Sequence, residues 1–330
     1  MPLPRVGMNP GRGKMSDFIP ARVTVTVLTY VPNDIGYFKD RFDVMRVCIE
    51  SILKNTQEPF DLMIFDNGSS DEVIDYLRKQ HNAGNIDFLM LSSKNIGKIG
   101  ALQIMYKAAP GEIIAYCDDD VFFLPGWLNR HLEVIDVYPD VGAVTGMYIK
   151  SHMKEGVETT MRFAAKPDVK IEKGNLIDRD LELHYITNMG RTWEQYQKEI
   201  QGLEDVRITY KGVQTYVSAG HYQFVAVKDR ILKALPGKWQ RNLMGQMREL
   251  DIAIDDLKML RVCTTPATVR LLGNKINQEG AEFIREFGIE IEGVEESTQM
   301  ANWAVKFFRI PIIRKIAYFF YQRLFRIINA

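Results

Sequence analysis

Three consecutive aspartates, Asp118, Asp119 and Asp120, sit inside the stretch GEIIAYCDDDVFFLPGW, Gly111 to Trp127. They follow a short apolar, β-prone run, Ile113 to Cys117, and precede the equally apolar Val121 to Leu124. Like charges this close repel, and aspartate is rarely buried without a partner. Wedged between two buried segments, the cluster calls for a cation or for a helix N-terminus to cap. Carboxylate oxygens suit hard divalent ions, and Mg²⁺ takes one or two protein carboxylates and completes its shell with substrate phosphates.

The strand before the triad is the fourth in a regular alternation. Arg22 to Thr29 alternates Val and Thr and reads as a strand, followed by the loop Tyr30 to Gly36. Phe38 to Thr56 has helical spacing, with Phe42, Met45, Cys48 or Ile49, Ile52 and Leu53 on one face. A second strand, Phe60 to Phe65, runs into Asp66-Asn67-Gly68-Ser69-Ser70-Asp71, and a helix follows from Glu72 to His81. Ile86 to Leu91 is a third strand, and Lys94 to Lys98 leads to a helix from about Ile99 to Ala108. This alternation predicts a parallel sheet covered by helices, with ligands at the carboxyl ends of its strands. The polar clusters at Asn33/Asp34, Asp66 to Asp71, Lys94 to Lys98 and Asp118 to Asp120 all fall at such ends. With 330 residues the chain has room for one large α/β domain or two smaller ones. Its three cysteines, Cys48, Cys117 and Cys263, lie far apart in apolar contexts, which excludes a disulfide framework or a familiar zinc module. Formal net charge is zero, which argues neither for nor against nucleic acid; no nucleic-acid partner is expected.

The set VTVLTYVPN, FDNGSSD, NIGKIGAL and YCDDDV, in this order over Val23 to Gly146, resembles family 2 glycosyltransferases with the GT-A fold. The resemblance implies a Rossmann-like α/β domain whose central sheet is mostly parallel, with helices on both faces. It implies a nucleotide-diphosphate-sugar donor, a UDP-sugar favoured, bound with Mn²⁺ or Mg²⁺ through a DXD motif. Nucleotide contacts would come from Thr29, Tyr30, Asn33, Asp66, Asn67, Lys94, Asn95 and Lys98. Asp118 or Asp119 would hold the ribose, and Asp120, with Asp118 beside it, the metal. A divalent ion there would neutralise the diphosphate leaving group. The family also implies inversion at the anomeric carbon and a carboxylate that deprotonates the acceptor hydroxyl.

That carboxylate is sought in MRELDIAIDDLKMLRV, where Asp255-Asp256-Leu257 resembles the family's Glu-Asp signature. Asp256 matches the position of the base, with Asp255 beside it; a solvated helix face is the alternative. Relatives often carry a metal-binding His after this helix, and Thr268 to Asn274 has none. Trp193, Gly220, His221 and Tyr222 are candidates for the sugar and acceptor pocket; packing would equally account for Trp193, and a structural role for His221.

Met1 to Pro20 lacks an apolar core and reads as a flexible arm, and no run of about 18 apolar residues exists to span a bilayer. The expected division is an arm (1–20), a nucleotide-sugar-binding half (21–150), an acceptor-binding and catalytic half of the same domain (151–295) and a tail (296–330). No acidic residue follows Glu296. The tail sets Arg314, Lys315 and Arg326 opposite an apolar helical face that includes Phe319 and Phe320, with Arg323 at the boundary and Trp303, Phe307 and Phe308 before Pro311. Two helical pieces, or one kinked at Pro311, are expected. Such an amphipathic helix suits an anionic membrane surface, or packing on the domain or a second subunit. The expectation is a cytoplasmic protein, peripheral on the inner face of the cell membrane, acting on a glycan or lipid-linked acceptor in cell-surface glycan assembly. A nucleotidyltransferase is the alternative enzyme class, although its Gly-rich basic loop after the first strand is absent; a glycan-binding scaffold is the alternative without catalysis. Oligomerisation is left open.

Overall fold

The computed structural model describes residues 7–244 and 246–291. Contacts divide the chain into two compact units, 1–275 and 276–330. The basic amphipathic helical tail expected over 296–330, with all its membrane candidates, lies outside the described residues.

The first unit begins with an exposed segment, 7–20, without helix or strand. In order there follow β1 (Val23–Thr29), α1 (Arg41–Asn55), β2 (Phe60–Asp66), α2 (Asp71–Asn82), β3 (Phe88–Leu91), α3 (Lys98–Ala108), β4 (Ile113–Asp118) and β5 (Val121–Phe123). Then come α4 (Trp127–Val137), β6 (Val141–Thr145), α5 (Glu158–Ala164), β7 (Val169–Gly174), α6 (Arg179–Asn188) and α7 (Trp193–Glu199). The unit continues through β8 (Asp205–Tyr210), β9 (Val213–Val217), β10 (Gln223–Val227), α8 (Lys228–Ala234), α9 (Met247–Asp256), β11 (Leu260–Thr264) and β12 (Val269–Leu271).

Ten strands form one sheet in the order β3-β2-β1-β4-β10-β6-β11-β9-β8-β7. The parallel block β3-β2-β1-β4 is the alternation expected from sequence. Beyond it β10 enters antiparallel between β4 and β6, β11 returns parallel to β6, and β9, β8 and β7 continue as an antiparallel meander. Pairing therefore runs unbroken past residue 150, and the two halves share one sheet. Most strands point one way, with β10, β9 and β7 reversed. A separate two-stranded ribbon joins β5 to β12.

Helices cover both faces. On one face α1 inserts Met45, Cys48, Ile49 and Ile52, and α4 inserts Trp127, Leu128 and Val134. On the other, α3 contributes Ile99, Leu102 and Met105, α8 Ile231, and α9 Leu250 and Ile254. All three cysteines are buried free thiols. Among the described residues no helix is long and apolar enough to cross a membrane. In the second unit α10 (Gln278–Glu286) is capped by Asn277, whose Oδ1 accepts from the Gly280 N–H at 2.7 Å.

Candidate active site

Register fixes where the site lies. Thr29 at the end of β1 pairs with Asp66 at the end of β2, and Leu28 pairs with Asp118 at the end of β4. Because β10 is antiparallel, its beginning lies at the same edge: Gln223 pairs with Cys117, and the Asp118 N–H donates to the Tyr222 carbonyl at 2.8 Å. This backbone bond ties the residues just before β10 directly to the aspartate cluster. The ribbon closes the edge from the other side, since the Leu272 N–H donates to the Asp120 carbonyl at 2.8 Å.

The three aspartates have three different surroundings. Asp119 is buried; it accepts from Thr29 Oγ1 at 2.6 Å and forms an ion pair with Arg41, the first residue of α1. Asp120 meets the same guanidinium at 3.1 Å, and Arg41 also donates to the Gly273 carbonyl at 2.9 Å. Asp118 takes both oxygens to Lys98 Nζ, at 2.6 and 2.7 Å, and accepts from the Tyr116 hydroxyl. Desolvation pushes the Asp120 carboxyl up to about 6; Arg41 opposes the rise, and the charges of Asp118 and Asp119 add to it. Each repulsive neighbour in the triad is thus answered by a cation at the first residue of a helix, Arg41 of α1 or Lys98 of α3.

Asp118 and Asp120 open onto a cavity of about 990 Å³, and Asp119 does not. Lys98, His221 and Tyr222 line it too, together with Tyr37, His152, Asn188, Met189 and, from α9, Met247, Arg248, Glu249 and Ile252. Five of the expected site residues are therefore brought to one cavity: Lys98, Asp118, Asp120, His221 and Tyr222. Tyr222 also donates its hydroxyl to the Met147 carbonyl at 2.8 Å, which fixes its ring.

The other expected residues build the surroundings instead. Thr29, Asp66 and Asn67 are buried. Asp66 accepts from the Gly68 and Ser69 N–H groups of its own loop, at 3.1 and 3.2 Å. Asn67 donates to Asn95 Oδ1 at 3.1 Å and accepts from the Ile96 N–H at 2.9 Å, which joins this loop to the Lys94–Lys98 loop. Gly68 has φ +92°, and a Cβ there would lie 2.9 Å from the backbone of Asn95, so the two loops touch only because this residue has no side chain. Lys94 and Asn33 are exposed; Asn33 accepts from the Ile35 N–H at 3.2 Å. The Tyr30 N–H lies 3.4 Å from Asp119 Oδ2.

The acceptor side differs from the sequence expectation. Asp255 is buried against α5, where it accepts from the Thr159 N–H at 2.8 Å, and Asp256 is exposed at the end of α9; neither lines the cavity. The helix turns its first half, not its last turn, towards the cavity, so Glu249 is its lining carboxylate. Asp251, two residues further on, is held between His221 Nδ1 at 2.8 Å and the buried Arg261 at 2.9 Å. Trp193 is half-buried against Tyr196 with the Arg179 guanidinium 4.9 Å from its ring centre, and does not line the cavity. Gly220 lies behind the wall: its N–H donates to Thr145 Oγ1 at 2.8 Å, and a Cβ would meet the Tyr222 ring at 2.5 Å.

Arg41 and His152 are not among the expected residues, and Glu249 and Asp251 figure there only as members of the α9 acidic cluster. Arg41 carried a signal: four residues before Met45, it is a charge on the buried stripe of α1. His152 carried none, because its turn has no periodicity.

A hard divalent ion fits this donor set. Asp118 and Asp120 offer oxygen ligands to the cavity, and among the described residues no group of three or more His, Cys, Asp or Glu could hold a metal. Two carboxylates completed by substrate phosphates is the coordination such ions adopt in nucleotide sites.

Comparison with known proteins gives three kinds of likeness. A glucosyl-dolichyl phosphate glucuronosyltransferase of Haloferax volcanii is 28% identical over 130 residues, which cover 39% of this chain and 38% of that protein's length. An uncharacterized glycosyltransferase of Bacillus subtilis, YwdF, is 27% identical over 116 residues, 35% of this chain and 38% of that one. The likeness thus spans less than half the length of either relative. Among solved structures, TarS 1–349 of S. aureus has a TM-score of 0.44 and 16% identity, covering 83% of this chain and 66% of that one. The sequence profile of glycosyl transferase family 2 matches residues 37–196, a span that includes α1, the Asp66 loop, Lys98 and all three aspartates. Residues 37–196 of this chain belong to glycosyl transferase family 2.

Proposed function

We propose that the protein is a metal-dependent glycosyltransferase that moves a sugar from a nucleotide-diphosphate donor to an acceptor hydroxyl, with inversion at the anomeric carbon. The observation that carries this reading is the pair Asp118 and Asp120. Both lie inside the family 2 segment, both face one cavity, and His221 and residues of α9 line the same cavity with proton-accepting groups. When bound, Mn²⁺ or Mg²⁺ at Asp120 and Asp118 would neutralise charge on the departing diphosphate. Lys98 lies beside Asp118 and adds a second positive group for the same phosphates. Tyr37 and Tyr222 are aromatic residues in the cavity lining, of a kind suited to a nucleoside or a sugar. The Asp66–Asn67 loop is joined through Asn95 and Ile96 to the loop that leads into Lys98.

A glycan or lipid-linked acceptor fits the mixed lining of the cavity, where Met189, Met244 and Ile252 stand among polar groups. The basic, aromatic segment 301–330 supports a peripheral position on an anionic cytoplasmic membrane face, an inference from sequence alone.

A thermal-shift panel tests the donor site. UDP, GDP, CDP and dTDP are each added with and without Mn²⁺; a ligand that binds only the native state raises the melting temperature by mass action. One diphosphate should stabilise in the presence of metal, and Asp120→Ala should abolish that effect. No shift with any diphosphate under either condition refutes the reading.

A further inference from the structure

The donor side of the cavity has its cations and carboxylates; the open chemical question is which group takes the proton from the acceptor hydroxyl. Asp255 and Asp256 do not reach the cavity. Glu249 does, but it is exposed, and its polar contact is the Gln240 amide at 3.2 Å. Nothing buried orients it.

His221 is held very differently. Its Nδ1 lies 2.8 Å from Asp251 Oδ2, and the other oxygen of Asp251 accepts from Arg261 at 2.9 Å. Arg261 is 1% exposed, and its guanidinium also donates to the Ala219, Glu155 and Gly156 carbonyls. One buried cation therefore fixes both the carboxylate behind His221 and the turn that carries it. The backbone of that turn is itself constrained, with Ser218 at φ 97° and Gly220 packed against Thr145.

A carboxylate can only accept, so the bond to Asp251 keeps the proton on Nδ1 and leaves the lone pair of a neutral ring on Nε2. Nε2 has no hydrogen-bond partner among the described residues, and His221 lines the cavity. His152 stacks on the same ring at 5.9 Å and 19°. Desolvation pushes His152 down to about 4, so this neighbour is uncharged at neutral pH and does not oppose a charge on His221.

We infer that His221 is the proton acceptor for the incoming hydroxyl, with Asp251 and Arg261 as positioning residues. This rests on the transferase reading above. In the step, the acceptor O–H bond breaks and its proton goes to Nε2, while the oxygen lone pair forms the bond to the anomeric carbon. The bond from that carbon to the phosphate oxygen breaks, and its electron pair leaves with the diphosphate. The imidazolium formed is stabilised by Asp251, the arrangement familiar from hydrolytic triads, transposed here to glycosyl transfer.

The test uses the full chain and water as the acceptor, with UDP-glucose, UDP-N-acetylglucosamine and GDP-mannose as probes and Mn²⁺ present. Release of diphosphate is followed from pH 5 to 9. The charged groups bearing on the profile are Asp251, Glu249 and Arg248 from α9, Arg261 from β11, Lys98 from α3, Asp118 and Asp120 at the end of β4, and Arg191. Glu249→Gln controls for the nearest alternative base. His221→Gln should keep the diphosphate-induced thermal shift, lose roughly 100-fold or more in release rate and lose the acidic limb of the profile. Asp251→Asn should weaken release and remove the Nδ1–H tautomer, read by long-range ¹⁵N–¹H NMR of His221. Release by His221→Gln within about three-fold of wild type, with its acidic limb intact, overturns the proposal. So does loss of that limb in Glu249→Gln alone, or a wild type that binds a donor but releases nothing. Absence of any diphosphate shift in the wild type instead refutes the transferase reading, and the tautomer measurement still decides whether the His221–Asp251 pair exists.

Discussion

Arg41→Met removes the cation on which the buried part of the aspartate cluster depends. The Arg41 and Asp119 side chains are 7% and 6% exposed, so neither can recover its lost partner from bulk water. In the variant, Asp119 keeps the Thr29 hydroxyl at 2.6 Å and loses its counter-ion, while the Gly273 carbonyl loses a donor. Breaking a buried pair from one side costs about 3–5 kcal/mol, because an uncompensated charge stays behind. For a unit of this size that corresponds to a fall in melting temperature of roughly 6–20 °C. Urea unfolding followed by circular dichroism measures the loss directly. The stranded charge, not the lost side-chain volume, should dominate, so adding Asp119→Asn to Arg41→Met should restore part of the stability. A loss below about 1 kcal/mol for Arg41→Met, or a double variant less stable than the single one, would refute the reasoning.

Three further outcomes are expected. His131 is fully buried; its Nδ1 faces the Trp127 carbonyl at 2.7 Å, its Nε2 faces the Gln223 amide at 3.2 Å, and desolvation pushes it down to about 4. Since its unfolded value is near 6.5, the stability it contributes is present above that pH and is lost as pH falls towards 4; between pH 7 and pH 5 the wild type should lose about 2 kcal/mol more than His131→Asn in denaturant titrations. Gly68→Ala forces a side chain into a left-handed residue and into the backbone of Asn95, so it should cost about 2 kcal/mol and weaken the diphosphate-induced thermal shift, because the loop it displaces leads into Lys98. A variant ending at Gln299 should no longer co-sediment with anionic liposomes while keeping its diphosphate response; retained sedimentation refutes the membrane role of the tail.

The parallel half of the fold was legible in the chain because its signals are local. Alternating Val and Thr in β1, the apolar stripe of α1 and the polar runs after each strand follow from neighbours a few residues apart. Of the residues expected from sequence, Lys98, Asp118, Asp120, His221 and Tyr222 meet in one cavity. The sequence misassigned α9. Asp255-Asp256 and Glu249-Asp251 are equally acidic on a helical wheel, and only the docking of Leu250 and Ile254 onto the sheet decides which carboxylates face the cavity.

What the amino-acid order determined by itself was therefore the alternation of strands and helices and the carboxylate triad at a strand end. Tertiary structure decided the rest. Placement of β10 beside β4 brings His221 to the edge where Asp118 lies, although they are far apart in sequence. Arg41, Asp119 and the Gly273 carbonyl meet across most of the unit. Such pairings depend on sheet order and helix docking, which are set by burial summed over the whole core, and no local pattern encodes them.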